Sequence, residues 1–154
     1  MLKTYVKSVA AALAVGGLSA LVTRGSMNIY ESINKPPLSP PGWLFPVVWS
    51  LLFILMGIAA AMVYIKRYDD KKSARNGLWL YVIQLAVNFS WSVIFFNLRA
   101  FFFSFWWLVL LLLLAVCTAC YFAKVSKTAA WLMVPYILWI IFAGYLNFMI
   151  FYLN

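Results

Sequence analysis

The sequence predicts an all-α integral membrane protein, a single bundle of five transmembrane helices that takes in residues 1–154. Hydrophobic residues make up 67% of the chain and charged residues only 10%, whereas about 25% of the residues in soluble domains are charged. Five apolar stretches alternate with polar segments, and each has about the 20 residues that a helix needs to cross a bilayer. The long segment between the first two stretches is expected to act as a lid.

The first span is predicted over residues 5–22. Small residues recur at every fourth position, at Ala12, Gly16 and Ala20, and such a row lets a second helix approach closely. Lys3 and Lys7 stand near its start, which is also the pattern of a secretory signal peptide. We interpret the span as a retained helix, with a cleaved signal as the alternative.

The first loop, Gly25 to Pro41, is long for a connection between bundle helices. Residues 26–34 are predicted to form a short helix from which Tyr30 points toward the membrane, and apolar side chains such as Met27 favour an ordered loop. Four prolines follow, and their fixed φ angles make the chain stiff: Pro36, Pro37, Pro40 and Pro41. A stiff, ordered loop suits a lid.

The second span is predicted from Trp43 to Ile65, with Pro46 in its first turn, where a missing N–H costs little. Trp49 and Phe53 lie four residues apart and therefore share one helix face just below the loop. This aromatic stripe under a lid predicts a pocket within the membrane. The alternative is an ordinary loop above an ordinary lipid-facing helix.

The third span is predicted over residues 78–98, after the polar segment 66–77. Gln84, Asn88, Trp91 and Phe95 recur at helical spacing and line one face. Because amides exposed to lipid are costly, this face is expected to look into the bundle. These amides serve either a ligand or the neighbouring helices, or both.

The fourth span, residues 100–123, has the most lipid-like composition and is predicted to lie on the outside of the bundle. It contains Cys117 and Cys120 at the spacing of a redox pair, but the chain has no histidine and no second pair of cysteines. We therefore interpret both cysteines as small apolar packing residues.

The fifth span, residues 129–153, contains Pro135, at which a kink is expected. Trp139, Ala143, Leu146 and Asn147 follow on one face, and the small Ala143 leaves room there for something flat. On straight helices with level ends, Trp49 and Trp139 would differ by roughly 12 Å in depth.

Lysine and arginine are distributed unequally between the two ends of the predicted bundle. The N-terminus and the second and fourth loops carry nine of them, and the opposite end carries three: Arg24, Lys35 and Arg99. The positive-inside rule then predicts a cytoplasmic N-terminus and an outward-facing lid in a bacterial plasma membrane. The net charge of +9 is therefore attributed to topology and contact with anionic lipid, not to nucleic acid.

No Asp, Glu, Lys, Arg or His lies in the middle of any predicted span. Proton pumps and ion-coupled transporters usually need such groups at membrane depth. Without histidine, a thiolate cluster or a carboxylate pair at depth, the sequence predicts neither a metal site nor hydrolytic machinery, and no cofactor is required.

Three motifs together carry a resemblance to a known family: KPPLSPPGWLFPVVWSLLFILMG, QLAVNFSWSVIFF and VPYILWIIFAGYLN, in this order. The chain resembles the tryptophan-rich sensory protein family, TspO/MBR, over essentially its whole length. The resemblance implies a five-helix bundle, commonly a homodimer, whose pocket is closed by the first loop. It also implies binding of porphyrins, haem-like tetrapyrroles, isoquinoline carboxamides and benzodiazepines.

The resemblance further implies which positions bind the ligand. Carried over by motif, they are Tyr30, Pro40, Pro41, Trp49, Phe53, Asn88, Trp91, Ser92, Trp139, Ala143, Leu146 and Asn147. Two positions depart from the family pattern, which often has Trp in place of Leu38 and Tyr in place of Phe53. One aromatic wall and one hydroxyl are therefore missing, and no basic residue follows Tyr145 or Tyr152 to support a sterol motif.

Two classes of function are expected. The first is a receptor, sensor or carrier for a flat apolar tetrapyrrole or a drug-like ligand, because aromatic walls with a few placed amides suit such a molecule. The alternative is an enzyme that degrades porphyrin in light, with Trp49 and Trp139 as the catalytic electron donors. The residues alone do not distinguish the two, and an interaction scaffold in the lipid is a third, blander possibility that the buried amides disfavour.

Overall fold

The computed structural model describes residues 1–26 and 28–154 and confirms the all-α class. Its helices are α1 (Leu2–Thr23), α2 (Ile29–Ser32), α3 (Leu44–Ile65), α4 (Lys71–Ser92), α5 (Phe101–Val125) and α6 (Lys127–Leu153). A short 3₁₀ turn, Arg24–Ser26, follows α1, and a π-helical turn, Val93–Asn97, extends α4. Five of these helices are long and apolar enough to cross a membrane, as predicted.

The five long helices form a ring, and four of them, α1, α3, α4 and α6, enclose a cavity at one end of it. Neighbours in the ring follow the order α1, α3, α6, α5, α4, and α4 returns to α1 through a less extensive contact. The helix ends show that sequential neighbours run antiparallel, since Val9 near the start of α1 meets Gly57 in the second half of α3. This arrangement leaves the lid-side halves of the helices to enclose the cavity.

The tightest helix contact joins α1 to α3. A Cβ atom added at Gly57 would lie 2.6 Å from the Cα atom of Val9, and the Ser8 hydroxyl donates a 2.7 Å hydrogen bond to the Gly57 carbonyl. Only part of the predicted small-residue row packs in this way, because Ala12 is fully buried whereas Ala20 is exposed. Close approach therefore belongs to the N-terminal half of α1.

Helix α4 begins at Lys71, earlier than the predicted Leu78. Asp70 caps it by accepting a 3.1 Å hydrogen bond from the Ser73 backbone N–H, and the hydrogen bonds from Ser73 hold the pKa of Asp70 below its usual range. The charged side chain therefore satisfies a backbone donor that the first helical turn leaves free. A polar stretch that we expected to be loop is thus helical in large part.

Two expectations for α5 need correction. The helix packs between α4 and α6, and 28% of its most apolar stretch is buried, against 17% for α1, so α1 is the more peripheral helix. Both cysteines, Cys117 and Cys120, are exposed on the outer surface and do not pack. A helix that is apolar on every side has no contrast between a polar and an apolar face, so its sequence does not predict which side faces lipid.

Helix α6 continues through Pro135 to Leu153. Beyond the proline, its predicted inner face is confirmed, with Ala143, Leu146 and Asn147 buried and Trp139 half-buried. The face predicted for α4 is confirmed as well, since Gln84, Asn88, Trp91 and Phe95 are all buried.

The positive-inside asymmetry predicts which end of the bundle faces the cell exterior. In a variant with Cys117 and Cys120 replaced by Ala, Leu38→Cys in the exposed loop should react with a membrane-impermeant maleimide added to intact cells. The matched variant Asp69→Cys, at the opposite end, should react only after lysis. Labelling of position 69 in intact cells without labelling of position 38 would mean an inverted topology.

The α1–α3 contact predicts opposite effects of one substitution at two glycines. Gly57→Ala should lower the free energy of unfolding by about 1–3 kcal/mol, because the new methyl group has no room against Val9. Gly17→Ala is the control, since a Cβ there meets nothing within 4 Å and alanine favours the helix. Thermal unfolding in detergent measures both, and equal midpoints would contradict the packing argument.

Candidate ligand-binding site

A cavity of about 350 Å³ lies at the lid-side end of the ring. Side chains of α1, α2, α3 and α6 and of α4 with its π-helical extension line it, whereas α5 contributes none. Ten of the twelve positions carried over by motif line it: Tyr30, Trp49, Phe53, Asn88, Trp91, Ser92, Trp139, Ala143, Leu146 and Asn147. Pro40 and Pro41 do not form part of the wall.

Trp49 is the centre of the aromatic wall. Its ring centroid lies 5.9 Å from that of Phe53, 6.4 Å from that of Trp91 and 6.4 Å from that of Trp139. Phe45 extends the wall toward the lid, because its ring lies 5.9 Å from Trp139 and 5.0 Å from Tyr30. Phe45 was missed at the sequence level, although its position four residues before Trp49 places it on the same helix face.

The predicted 12 Å difference in depth between Trp49 and Trp139 is wrong, because the two rings are direct neighbours. The helix ends that served as references are not level: α6 continues beside the first loop, where Asn154 contacts Asn34. The two ring planes are inclined by 89°. A flat ligand that stacks on the face of one indole therefore meets the other edge-on.

Asn147 lines the cavity and joins three helices through its side-chain amide. Its Oδ1 accepts hydrogen bonds from Trp91 Nε1 at 3.1 Å and Ser104 Oγ at 3.0 Å, and its Nδ2 donates to the Phe101 carbonyl at 2.8 Å. The amide therefore holds α4, α5 and α6 together. Of the two roles predicted for it, the geometry shows that it holds its neighbours in place.

A second buried network joins α4 to α6. Asn88 Nδ2 donates to the Tyr136 hydroxyl at 2.8 Å, and that hydroxyl donates to Gln84 Oε1 at 2.5 Å. Tyr136 is fully buried, and it was missed at the sequence level, although it precedes Trp139 by three residues and so shares its face. Both amides of α4 therefore have partners on a neighbouring helix.

The indole N–H of Trp139 has a different environment. This side chain lines the cavity, its Nε1 atom is buried, and it has no hydrogen-bond partner among residues 1–26 and 28–154. A buried donor that stays unpaired costs roughly 1–3 kcal/mol, so such a group calls for an acceptor. An acceptor brought by a ligand would satisfy it.

The first loop covers the aqueous end of the cavity. Tyr30 of α2 donates a 2.6 Å hydrogen bond to the Pro40 carbonyl, and burial raises the pKa of Tyr30, which keeps this donor protonated. Tyr145 of α6 donates to the Pro37 carbonyl at 3.0 Å. Pro40 thus supports the lid by holding Tyr30. Met27, which we expected to help order the loop, lies outside the described residues.

The loop is also fastened to the end of α6. Asn154 Nδ2 donates to the Asn34 carbonyl at 3.0 Å, and the Asn34 backbone N–H donates to Asn154 Oδ1 at 3.2 Å. Leu38 turns the chain with a φ of 70°, an unusual value for a branched side chain. The part of the chain that the structure describes contains no group of three metal-ligating side chains.

A model of the TspO/MBR family matches residues 8–153 of the chain. The chain belongs to the TspO/MBR family. It is 42% identical to the Tryptophan-rich protein TspO of Chlorobaculum tepidum over 125 residues, which cover 81% of this chain and 78% of that protein. It is 37% identical to the Translocator protein of Bos taurus, with coverages of 86% and 79%.

The chain is also 40% identical to Protein CrtK of Rhodobacter capsulatus, with coverages of 90% of this chain and 85% of that protein. These similarities extend across bacteria and animals, and the match to the family model, residues 8–153, reaches into all five spans. They confirm the family membership that the three motifs indicated.

The junction at Asn147 predicts a loss of stability on truncation. Asn147→Ala should lower the free energy of unfolding by about 1–3 kcal/mol, because it leaves the Trp91 N–H and the Phe101 carbonyl buried without this partner. Asn76→Ala serves as the control, since the Asn76 side chain makes no hydrogen bond among residues 1–26 and 28–154. Equal unfolding midpoints in detergent would contradict the structural role.

Proposed function

We propose that this TspO/MBR family protein is a membrane receptor, sensor or carrier that binds porphyrins and haem-like tetrapyrroles in the cavity under the first loop. Isoquinoline carboxamides and benzodiazepines would occupy the same place. The observation that carries the proposal is an aromatic cavity lined by Trp139, whose buried indole N–H has no hydrogen-bond partner among residues 1–26 and 28–154. These ligands combine flat apolar rings with carbonyl or carboxylate oxygens, and such an oxygen would accept that hydrogen bond.

The polarity of the wall supports this choice of ligand. Asn88, Asn147 and the Trp91 N–H already bond to one another or to neighbouring helices. Apart from the hydroxyls of Ser19 and Ser92, the wall therefore presents mainly aromatic and aliphatic surface. A strongly polar ligand would lose its hydration without compensation there. A planar, mostly apolar molecule with one or two acceptors would lose little.

The size of the cavity bears on how a tetrapyrrole would sit. A volume of about 350 Å³ lies near the lower end of the roughly 300–1,000 Å³ that is usual for ligand pockets. A compact drug-like molecule fits within that range, whereas a tetrapyrrole needs the lid to move or part of the ring to extend beyond the cavity. The names of relatives, Translocator protein and Tryptophan-rich sensory protein, are consistent with either carriage or sensing in this family.

A second candidate function is light-dependent porphyrin breakdown, and the close contact between Trp49 and Trp139 favours it. A porphyrin excited by light would take one electron from an indole, which leaves an indole radical cation and a porphyrin radical anion. Dioxygen, the external oxidant, would then add to the porphyrin radical anion, and the resulting peroxyl radical anion would return one electron to the indole radical cation. The net change is the addition of O2 to the porphyrin, with the indole restored. Two indoles in contact would share the positive charge and so stabilise the radical cation.

Replacement of Trp139 predicts a loss of affinity that depends on the ligand. Trp139→Phe keeps an aromatic wall but removes the N–H donor, so it should weaken binding of an isoquinoline carboxamide by about 1 kcal/mol, roughly fivefold. For an analogue in which the carbonyl is reduced to a methylene, the same variant should cause no further loss. Trp106→Phe, on the exposed side of α5, is the control.

Fluorescence titration in detergent measures all these affinities. An equal loss for the carboxamide and for its reduced analogue would mean that Trp139 contributes only packing. Unchanged affinity for both ligands would exclude this indole from the site.

The photochemical function predicts an effect of light that requires the indoles. Trp49→Phe with Trp139→Phe should still bind protoporphyrin but should lose most of the light-driven fall in its absorbance, while Trp106→Phe should match the wild type. Parallel samples in the dark give the baseline. Degradation at the wild-type rate by the double variant would leave binding as the function and remove these residues from any chemistry.

A further inference from the structure

Helices α1 and α3 face each other along one row of residues on each helix. The closeness of the contact between these rows changes from one end to the other. At the end remote from the lid the two backbones touch, at Val9 and Gly57. One step toward the lid the contact passes to a side chain, since a Cβ at Gly16 would lie 2.7 Å from the Phe53 ring. Beyond Phe53 the rows continue at helical spacing, and a Cβ added at the next glycine of α1, Gly17, finds open space.

The continuing rows are both exposed and part of the cavity wall. They consist of Gly17 and Ala20 on α1 and Ser50 and Pro46 on α3. A Cβ added at Gly17 would meet no atom within 4 Å. A surface that lines the cavity and is open to the outside marks a cleft, so the cavity is open through the side of the bundle, between the lid-side halves of α1 and α3.

Two contacts explain why α1 leaves α3 here. The end of α1 is held toward α4, because Asn97 Nδ2 donates a 3.2 Å hydrogen bond to the Val22 carbonyl. Phe53 fills the space at the base of the cleft between the helices. The two helices therefore diverge from the Val9–Gly57 contact toward the lid.

The chemistry of the cleft suits lipid rather than water. Its one hydroxyl, that of Ser50, donates a 2.7 Å hydrogen bond to the Pro46 carbonyl within its own helix. The cleft lies within two membrane-spanning helices, so it faces hydrocarbon. The aqueous end, in contrast, is covered by the loop, which is fastened through Tyr30, Tyr145 and Asn154.

We propose that the cleft between α1 and α3 is the entrance through which an apolar ligand passes sideways from the bilayer into the cavity, while the loop stays closed. This inference rests on the proposed function. An apolar ligand is concentrated in the membrane, and this route spares it transfer through water. The cleft also gives a tetrapyrrole that exceeds the cavity a place into which one edge of its ring can extend.

The test compares a plugged cleft with a locked loop, in liposomes and with Cys117 and Cys120 replaced by Ala. Gly17→Trp fills the cleft, and Leu18→Trp places the same ring on the neighbouring exposed position outside the cavity wall. Asn34→Cys with Asn154→Cys locks the loop to α6 by a disulfide, which mass spectrometry verifies. Stopped-flow quenching of tryptophan fluorescence by protoporphyrin IX gives the association and dissociation rates of each variant.

Gly17→Trp is expected to slow association about tenfold, within the range over which association rates vary among variants of one site. The association rate decides the test, because Gly17 lines the cavity and a Trp there also changes how tightly the ring edge is held. Leu18→Trp and the locked loop should match the wild type. Slow association of protoporphyrin IX with the locked-loop variant, together with wild-type rates for Gly17→Trp, would overturn the proposal. A change of affinity through dissociation alone would also overturn it, because it would make position 17 only part of the wall.

Ser50→Trp fills the same cleft from α3 and replaces Gly17→Trp if that variant does not fold. A second measurement does not depend on porphyrin binding. Ala143→Cys places a thiol inside the cavity, and its reaction with a pyrenyl maleimide dissolved in the bilayer should be slowed by Gly17→Trp but not by the locked loop. Failure of the wild type to bind protoporphyrin would count against the proposed function, whereas equal labelling of all variants would exclude the lateral entrance.

Discussion

The hydrogen bonds of Asn147 are the interaction on which the cavity depends. Water is absent from the hydrocarbon core, so polar groups there must find partners inside the protein. Asn147 meets this requirement for itself and at the same time fixes the Trp91 indole, the Ser104 hydroxyl and the end of α5. The orientation of Trp91 in turn sets one side of the aromatic cluster around Trp49. A single amide thus links α4, α5 and α6, of which α4 and α6 contribute side chains to the cavity wall.

Two buried donors, the Trp139 N–H and the Tyr81 hydroxyl, have no hydrogen-bond partner among residues 1–26 and 28–154, and of the two side chains only Trp139 lines the cavity. Asn88, Gln84 and Tyr136 form a chain of hydrogen bonds that needs nothing further from a ligand. The amides, which the sequence singles out as recognition groups, therefore serve mainly as framework. Under the proposed function, recognition would fall mainly to the aromatic surfaces, which favours ligands selected by shape and flatness.

The sequence predicts the elements and their inner faces well but predicts the contacts between them poorly. Helical spacing identifies the inward positions Asn88, Trp91 and Asn147, because an amide or an indole repeated at that period must avoid lipid. The same pattern does not show that Asn147 pairs with Ser104, since that pairing depends on how α5 and α6 dock. Nor does it show that α6 continues beside the loop. The depth of Trp139 was counted from the end of α6 and was therefore overestimated relative to that of Trp49.

Local signals were also available and passed over. Asp70 followed by Ser73 is the pattern of a capped helix start, and Phe45 repeats the spacing of Trp49 and Phe53. The position of the cysteines is a different case, because α5 is apolar on every side and its sequence carries no information about which side faces lipid. Only the positions of α4 and α6 determine that.

Helix α5 has a consequence for how ligand preference can change in this family. It contributes no surface to the cavity, yet Ser104 and the Phe101 carbonyl hold Asn147 in position from behind. Helix α5 therefore helps to set the shape of the cavity, although it forms no part of the cavity wall. A substitution on α5 could tilt the Trp91 wall and retune selectivity, so two proteins with identical cavity walls could differ in what they bind.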